Sequence, residues 1–200
     1  MIFNFTNYLN KIALISENKE VTYLDIEENV SKVKNIIEER CLVFLVCTNT
    51  IDSIISYVSI IKSGSVCMLI SDINISSLIE KYNPRYIFTP KEKNSEYGVN
   101  KCEIGEYVLI QTSFSNTYQI NKDLAILLTT SGSTGTPKFV RISYANLVDN
   151  TNSIIEYLNI DDTHRAITTM PMSYTYGLSI INTHLNSGAS IVVTEHSLMN

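Results

Sequence analysis

Short apolar runs alternate with amphipathic stretches along most of the chain. Residues 11–16 ("KIALIS") and 20–23 ("EVTY") predict two strands of a small hairpin around "ENK". Thr22 is then placed to cap a helix that carries Ile26, Val30, Val33 and Ile37, at spacings of four, three and four. "LVFLVC", from Leu42, is a continuous apolar run of strand length that ends in the hydroxyl-rich turn "TNT". A mostly apolar helix, "IDSIISYVSIIKS", follows and stops at Gly64, the residue type that most often ends a helix.

The alternation continues. "VCMLI" reads as a strand, "ISSLIEKY" as a helix broken by "NP", and "RYIFT" as another strand. The polar segment from Pro90 to Gly105 shows no period and predicts a surface loop. "EYVLIQT" and "LAILLTT" are further strands; Ser143 then caps a helix through Leu147, Ile154, Ile155 and Leu158. "RAITT", a helix from Ser173 to Asn186, Gly188 and "SIVVT" complete the series. Short buried strands alternating with helices predict an α/β fold of mostly parallel sheets covered by helices on both faces. In such sheets ligands bind beyond the carboxyl ends of the strands.

Composition narrows the function classes. The chain has 200 residues, of which 44% are hydrophobic, enough to bury a real core. A net charge of −5 with 18% charged residues offers no basic footprint, so no nucleic-acid partner is expected. Apolar runs such as "LVFLV" are too short to span a membrane, and the first residues lack the pattern of a secretory signal. The expected compartment is therefore cytoplasmic, with no membrane partner. Cys41, Cys47, Cys67 and Cys102 show no CxxC spacing and read as unreactive thiols. His164, His184 and His196 are scattered, and Asp161 and Asp162 are adjacent residues that point apart, so no metal site is expected within the chain. Lys62, near the end of its helix, reads as a solvated cation.

The most informative stretch is "TTSGSTGTPKF", residues 129–139, directly behind the strand "LAILL". Gly132 and Gly135 let the backbone bend and bring its N–H groups close to a ligand. Thr130, Ser131, Ser133, Thr134 and Thr136 add uncharged hydroxyls, and Lys138, fixed behind Pro137, adds one positive charge. Together they form a phosphate-binding set; the bland alternative is a flexible Ser/Gly turn. The spacing is not that of a P-loop, which has four residues between its glycines and Gly-Lys-Ser/Thr before a helix. Nor is it a GxSxG elbow, because Ser133 follows Gly132 directly.

"TTSGSTGTPK" resembles the phosphate-binding signature of the adenylate-forming (AMP-binding) superfamily: acyl-CoA synthetases, nonribosomal peptide synthetase adenylation domains and luciferases. Three further segments resemble family segments in the family's order: "VTYLDI" from Val21, "IKSGSVCMLIS" from Ile61 and "MPMSYTYGLS" from Met170. The chain departs from the pattern at Phe139, where the family usually has glycine, and at Tyr174, where it often has histidine.

The resemblance implies an AMP-forming ligase that joins a carboxylate to ATP and then passes the acyl group to coenzyme A or a carrier protein. ATP would be held by residues 130–138, Tyr174 and Gly177 would border the carboxylate, and no residue is implied as a covalent catalyst. Magnesium would be held by a glutamate of a later motif, outside this chain. Residues 1–200 would be the N-terminal part of a large adenylation domain, with 1–120 as a first α/β subdomain and 121–200 as the start of a second. On this reading the catalytic segments of the C-terminal part lie beyond Asn200, and the isolated chain is inactive. The alternative is a non-catalytic nucleotide-binding or interaction module derived from the same fold.

Overall fold

A computed structural model describes residues 2–71, 75–93, 97–115, 119–129 and 138–194. The chain opens with the hairpin β1 (Ile12–Ser16) and β2 (Lys19–Thr22), then α1 (Tyr23–Ile36), β3 (Leu42–Val46), α2 (Ile51–Lys62) and β4 (Val66–Ile70). There follow α3 (Ile75–Tyr82), β5 (Tyr86–Pro90), a 3-10 turn at Lys91–Lys93, β6 (Val99–Ile104), β7 (Tyr107–Gln111) and β8 (Leu124–Thr129). The last elements are β9 (Phe139–Ser143), α4 (Tyr144–Leu158), β10 (Arg165–Thr168), α5 (Thr175–Asn186) and β11 (Ser190–Val193).

Local signals set the helix starts. The Thr22 hydroxyl accepts from the Asp25 N–H at 3.2 Å, while the Asp25 carboxylate accepts from the Thr22 N–H at 2.7 Å. This reciprocal box satisfies two end groups of α1, and the bonds from Thr22 hold the Asp25 carboxyl below its ordinary range. The Thr50 hydroxyl caps α2 by accepting from the Ser53 N–H, and the Ser143 hydroxyl caps α4 by accepting from the Asn146 N–H. Gly64, with φ at +79°, turns the chain out of α2, a conformation that costs glycine nothing.

Two sheets form. The larger has strand order β6-β7-β5-β3-β4-β8-β9, and the smaller β10-β11-β1-β2. The ladders β5-β3, β3-β4, β4-β8, β10-β11 and β11-β1 are parallel, and β1-β2, β5-β7, β6-β7 and β8-β9 are antiparallel. The mixed α/β architecture with a parallel centre agrees with the alternation of the sequence.

Side-chain alternation on the central strands feeds two cores. Val43 and Leu45 of β3, Cys67 and Leu69 of β4 and Phe88 of β5 join the larger core with α1, α2 and the smaller sheet. Leu42 and Phe44, with Val66, Met68 and Ile70, face the other side, where Leu78 of α3 covers them. Helix α2 lies in the larger core and is buried on nearly every side, including Ser53, Ser56 and Ser59. Those serines are satisfied: Ser56 and Ser59 donate to the carbonyls four residues back, both at 2.7 Å.

Two expectations are corrected. The segment from Pro90 to Gly105 is not a loop throughout, because Val99–Ile104 is β6, paired antiparallel with β7. It is a polar edge strand with only Ile104 fully buried, and edge strands carry charge that blunts pairing with other chains. Its pairing shifts register between Asn100 and Cys102, which removes the simple alternation. Lys62 is not a solvated cation either. Its side chain is only 10% exposed; it pairs with Glu27, donates to the Phe3 carbonyl at 2.6 Å and lies 4.6 Å from the Phe5 ring centroid. The lysine thereby ties α2 to α1 and to the N-terminal segment.

The four cysteines are free thiols, and burial pushes all four upward in pKa, which makes them weak nucleophiles near neutral pH. Among the described residues no helix is long and apolar enough to cross a membrane.

Candidate functional site

The strand pattern that predicts a parallel sheet also places the Gly/Ser/Thr-rich stretch. β8 ends at half-buried Thr129, β9 begins at Phe139, and these two residues are paired across the ladder. The intervening stretch therefore leaves from the carboxyl end of β8, next to the parallel trio β5-β3-β4. Lys138 is exposed at its exit. Thr130, Ser131, Gly132, Ser133, Thr134, Gly135, Thr136 and Pro137 lie outside the described residues. Phe139, the departure after the lysine, is half-buried and packs edge-on against Tyr82 of α3, with ring centroids 5.6 Å apart.

The second segment, 170–177, is pinned to the carboxyl end of β3. The Met172 N–H donates to Asn49 Oδ1 at 3.2 Å, and the Ser53 hydroxyl donates to the Met172 sulfur at 3.2 Å. Asn49 belongs to the hydroxyl-rich turn after β3, which is itself cross-linked: Thr48 bonds Thr50 and Tyr107, each at 2.9 Å. The order β3-β4-β8 puts the ends of β3 and β8 two strand spacings apart, about 10 Å. The two segments singled out in the sequence are thus brought to the same end of one sheet.

Tyr174 occupies the cap position of α5, with its N–H bonded to the Pro171 carbonyl at 3.0 Å, and the residue is 56% exposed. It is not packed between helix and sheet. Gly177 is buried in the first turn of α5, and a Cβ there would lie 2.4 Å from the Pro171 carbonyl oxygen. The space beside Gly177 is filled by the chain's own backbone. Gly177→Ala is expected to destabilise the fold by about 1–3 kcal/mol, the usual cost of overpacking. Urea unfolding should show a lower midpoint with an unchanged slope.

A cavity of about 530 Å³ opens between β8, β9, α4 and α5. Leu128, Ile142, Leu147 and Leu178 supply its apolar wall, with Ser179 and Asn182 on its α5 side. Asn182 Oδ1 accepts from the buried Tyr57 hydroxyl at 2.9 Å, which fixes the orientation of its amide. Leu128 directly precedes Thr129, so the cavity abuts the stem of the loop. The sequence reading missed this lining because it comes from four elements whose approach is not encoded locally. The signal within reach was the spacing of Leu178, Ser179 and Asn182 along one helix.

Asp161 and Asp162 do not converge on one site. Asp161 Oδ1 accepts from the Thr163 N–H and hydroxyl and lies 2.8 Å from His164 Nδ1, bonds that hold its carboxyl down at about 2. Asp162 points elsewhere and pairs with Lys11 at 2.7 Å. Among the described residues no group of three or more His, Cys, Asp or Glu side chains could hold a metal ion.

Comparison with known proteins places this geometry in a family. A hybrid PKS-NRPS synthetase (pvhA) of Talaromyces variabilis is 29% identical over 154 residues, which is 72% of this chain and 4% of that protein. A D-alanine–D-alanyl carrier protein ligase of Staphylococcus haemolyticus (strain JCSC1435) is 22% identical over 95% of this chain and 41% of its own length. The crystal structure of ATP-bound MatB from Rhodopseudomonas palustris superposes with a TM-score of 0.78 at 16% identity, covering 96% of this chain and 44% of that one. The chain thus spans less than half the length of these relatives. The family model described as "AMP-binding enzyme" matches residues 4–199, and the chain belongs to that family of AMP-binding enzymes.

Proposed function

We propose that this chain is the front portion of an ATP-dependent, carboxylate-activating ligase and supplies its phosphate-holding loop and part of its substrate pocket. The observation that carries this reading is the placement of the loop. A glycine- and hydroxyl-rich stretch leaves the carboxyl end of a parallel strand, and an exposed lysine stands at its exit. Family membership and the ATP-bound relative support it.

In the proposed reaction a carboxylate oxygen attacks the α-phosphorus of ATP, the bond to the bridging β-oxygen breaks, and pyrophosphate leaves. A thiol sulfur of coenzyme A or of a carrier protein then attacks the acyl carbon, and AMP leaves. Both first-step partners are anionic, so the protein contributes positioning and charge neutralisation rather than a covalent nucleophile. Lys138 offsets charge on the β- and γ-phosphates. Thr130, Ser131, Ser133, Thr134 and Thr136, with the N–H groups freed by Gly132 and Gly135, orient the leaving group. The cavity beside Leu128 suits the carboxylate's apolar portion, and exposed Tyr174 stands at the same end of the sheet as a neutral hydrogen-bonding tip. Magnesium would be held by residues outside this chain and would offset phosphate charge.

The 200-residue chain spans 41% of the carrier protein ligase, so the groups that grip ribose and complete the charge set are expected in further sequence. Carboxylate-dependent exchange of labelled pyrophosphate into ATP should therefore stay at background with this chain alone. A protein extended to the length of the relatives should perform it. Sustained exchange by the 200 residues that disappears in Lys138→Ala would show that the front portion is sufficient. No exchange by the extended protein with any of a broad carboxylate panel would favour a non-catalytic binding module.

A further inference from the structure

Away from the loop, on the face of the larger sheet that α3 covers, lies a second cavity of about 690 Å³. It lies within the 300–1,000 Å³ range usual for small-ligand sites. Its floor is made by the amino-terminal residues of three parallel strands, Leu42 of β3, Val66 of β4 and Leu124 of β8, together with Leu127. Leu124 stands at the opposite end of a six-residue strand from Thr129, about 17 Å away at the usual rise per residue. This cavity is thus separate from the mouth where the loop departs.

The floor is under-covered. α3 is only eight residues long and fully buries one of them, Leu78, so Leu124 and Leu127 remain half-buried. Two cations stand over this apolar floor: Lys81 from α3 and Arg141 from β9. Both are exposed, and among the described residues neither forms an ion pair, although Lys81 also lies 5.3 Å from the Tyr82 ring centroid. Arg141 is paired across the ladder with Leu127, which places a guanidinium on an otherwise apolar face. One carboxylate, Asp123, also lines the cavity, so the charge balance of two cations against one anion remains positive.

We propose that this cavity binds an amphiphilic anion, a carboxylate or phosphate head with a straight apolar tail. The head would lie between Lys81 and Arg141, and the tail along Leu42, Val66, Leu124 and Leu127. A small polar anion would leave the leucine floor wet, and a neutral hydrocarbon would leave both cations unused. The combination selects for a molecule that satisfies both. An arginine on an edge strand also discourages pairing with another chain, but that role needs no cavity and predicts no ligand.

The test uses the 200-residue chain with decanoate, decyl phosphate and decyltrimethylammonium as probes, each below its micelle concentration, read by amide chemical shifts and calorimetry. Saturable binding of one or both anions is expected, with shifts centred on Leu42, Val66, Leu124 and Leu127; the two anionic arms show which head is preferred. The double variant Lys81→Gln/Arg141→Gln should weaken anion binding at least tenfold while circular dichroism stays unchanged. Leu127→Trp, which fills the floor, should abolish it. Equal binding of the cationic probe, shifts centred on Thr129 and Lys138, or no saturation by millimolar probe would overturn the proposal. ATP is absent from every arm, so failure here leaves the reading of the phosphate loop untouched.

Discussion

Cutting Phe44 back to alanine should cost about 3–5 kcal/mol of stability, the range for removing a buried aromatic ring. Phe44 lies on β3, the central strand of the larger sheet, with 0% exposure. It belongs to the smaller core, with Met68, Ile87 and Leu78. Among the described residues one short helix, α3, covers that core, so few side chains can move in to fill the space left by a lost ring. Against a typical total of about 5–15 kcal/mol, the loss removes a large fraction of the folding free energy. Val99→Ala on the edge strand β6, where the residue is 64% exposed, should stay within about 0.5 kcal/mol of the parent. Chemical unfolding of the two variants side by side checks the contrast. A Phe44→Ala protein as stable as Val99→Ala would mean that the α3 face is not a packed core.

The second large effect concerns chemistry. In a protein extended to the length of the relatives, Lys138→Ala should lower kcat for adenylate formation by about 10²–10³, the cost of losing one group aimed at developing charge. The lysine stands at the exit of the loop, at the end of β8, where the leaving pyrophosphate would gather negative charge. Lys138→Arg keeps the charge and should recover part of the rate; Lys138→Gln keeps most of the length and should not. Stability should change little, because the side chain is exposed. A Lys138→Ala enzyme with full kcat would remove the lysine from the mechanism.

Most of the element order was legible because the strands are short, continuous apolar runs and the helices carry explicit caps. Thr22, Ser143 and Gly64 each mark a boundary within a residue or two of where it falls. What could not be read depends on distant partners. β6 looks like a loop because its outward side chains are polar and its pairing slips; only β7 makes it a strand. Nearby, Gly98 approaches so closely that a Cβ there would fall 2.1 Å from the Gln111 carbonyl oxygen, a constraint no local pattern reveals. Lys62 looks solvated until Glu27, Phe3 and Phe5 arrive from other elements. At the candidate site the sequence identified the loop and the 170–177 segment, and topology brings both to one sheet end. The cavity between α4 and α5 was not legible, since its walls meet only in the folded chain.

Residues 130–138 are proposed to hold the phosphates of ATP. The most direct measurement is a titration of the isotopically labelled chain with ATP and, separately, with pyrophosphate, following every backbone amide. Both ligands are expected to shift a contiguous set of amides from Thr129 to Phe139, with smaller effects at Asn49 and Met172. Lys138→Ala should weaken both ligands together while the remaining spectrum stays in place. Shifts centred instead on the Leu42, Val66 and Leu124 end of the sheet, or identical affinity in Lys138→Ala, would contradict it.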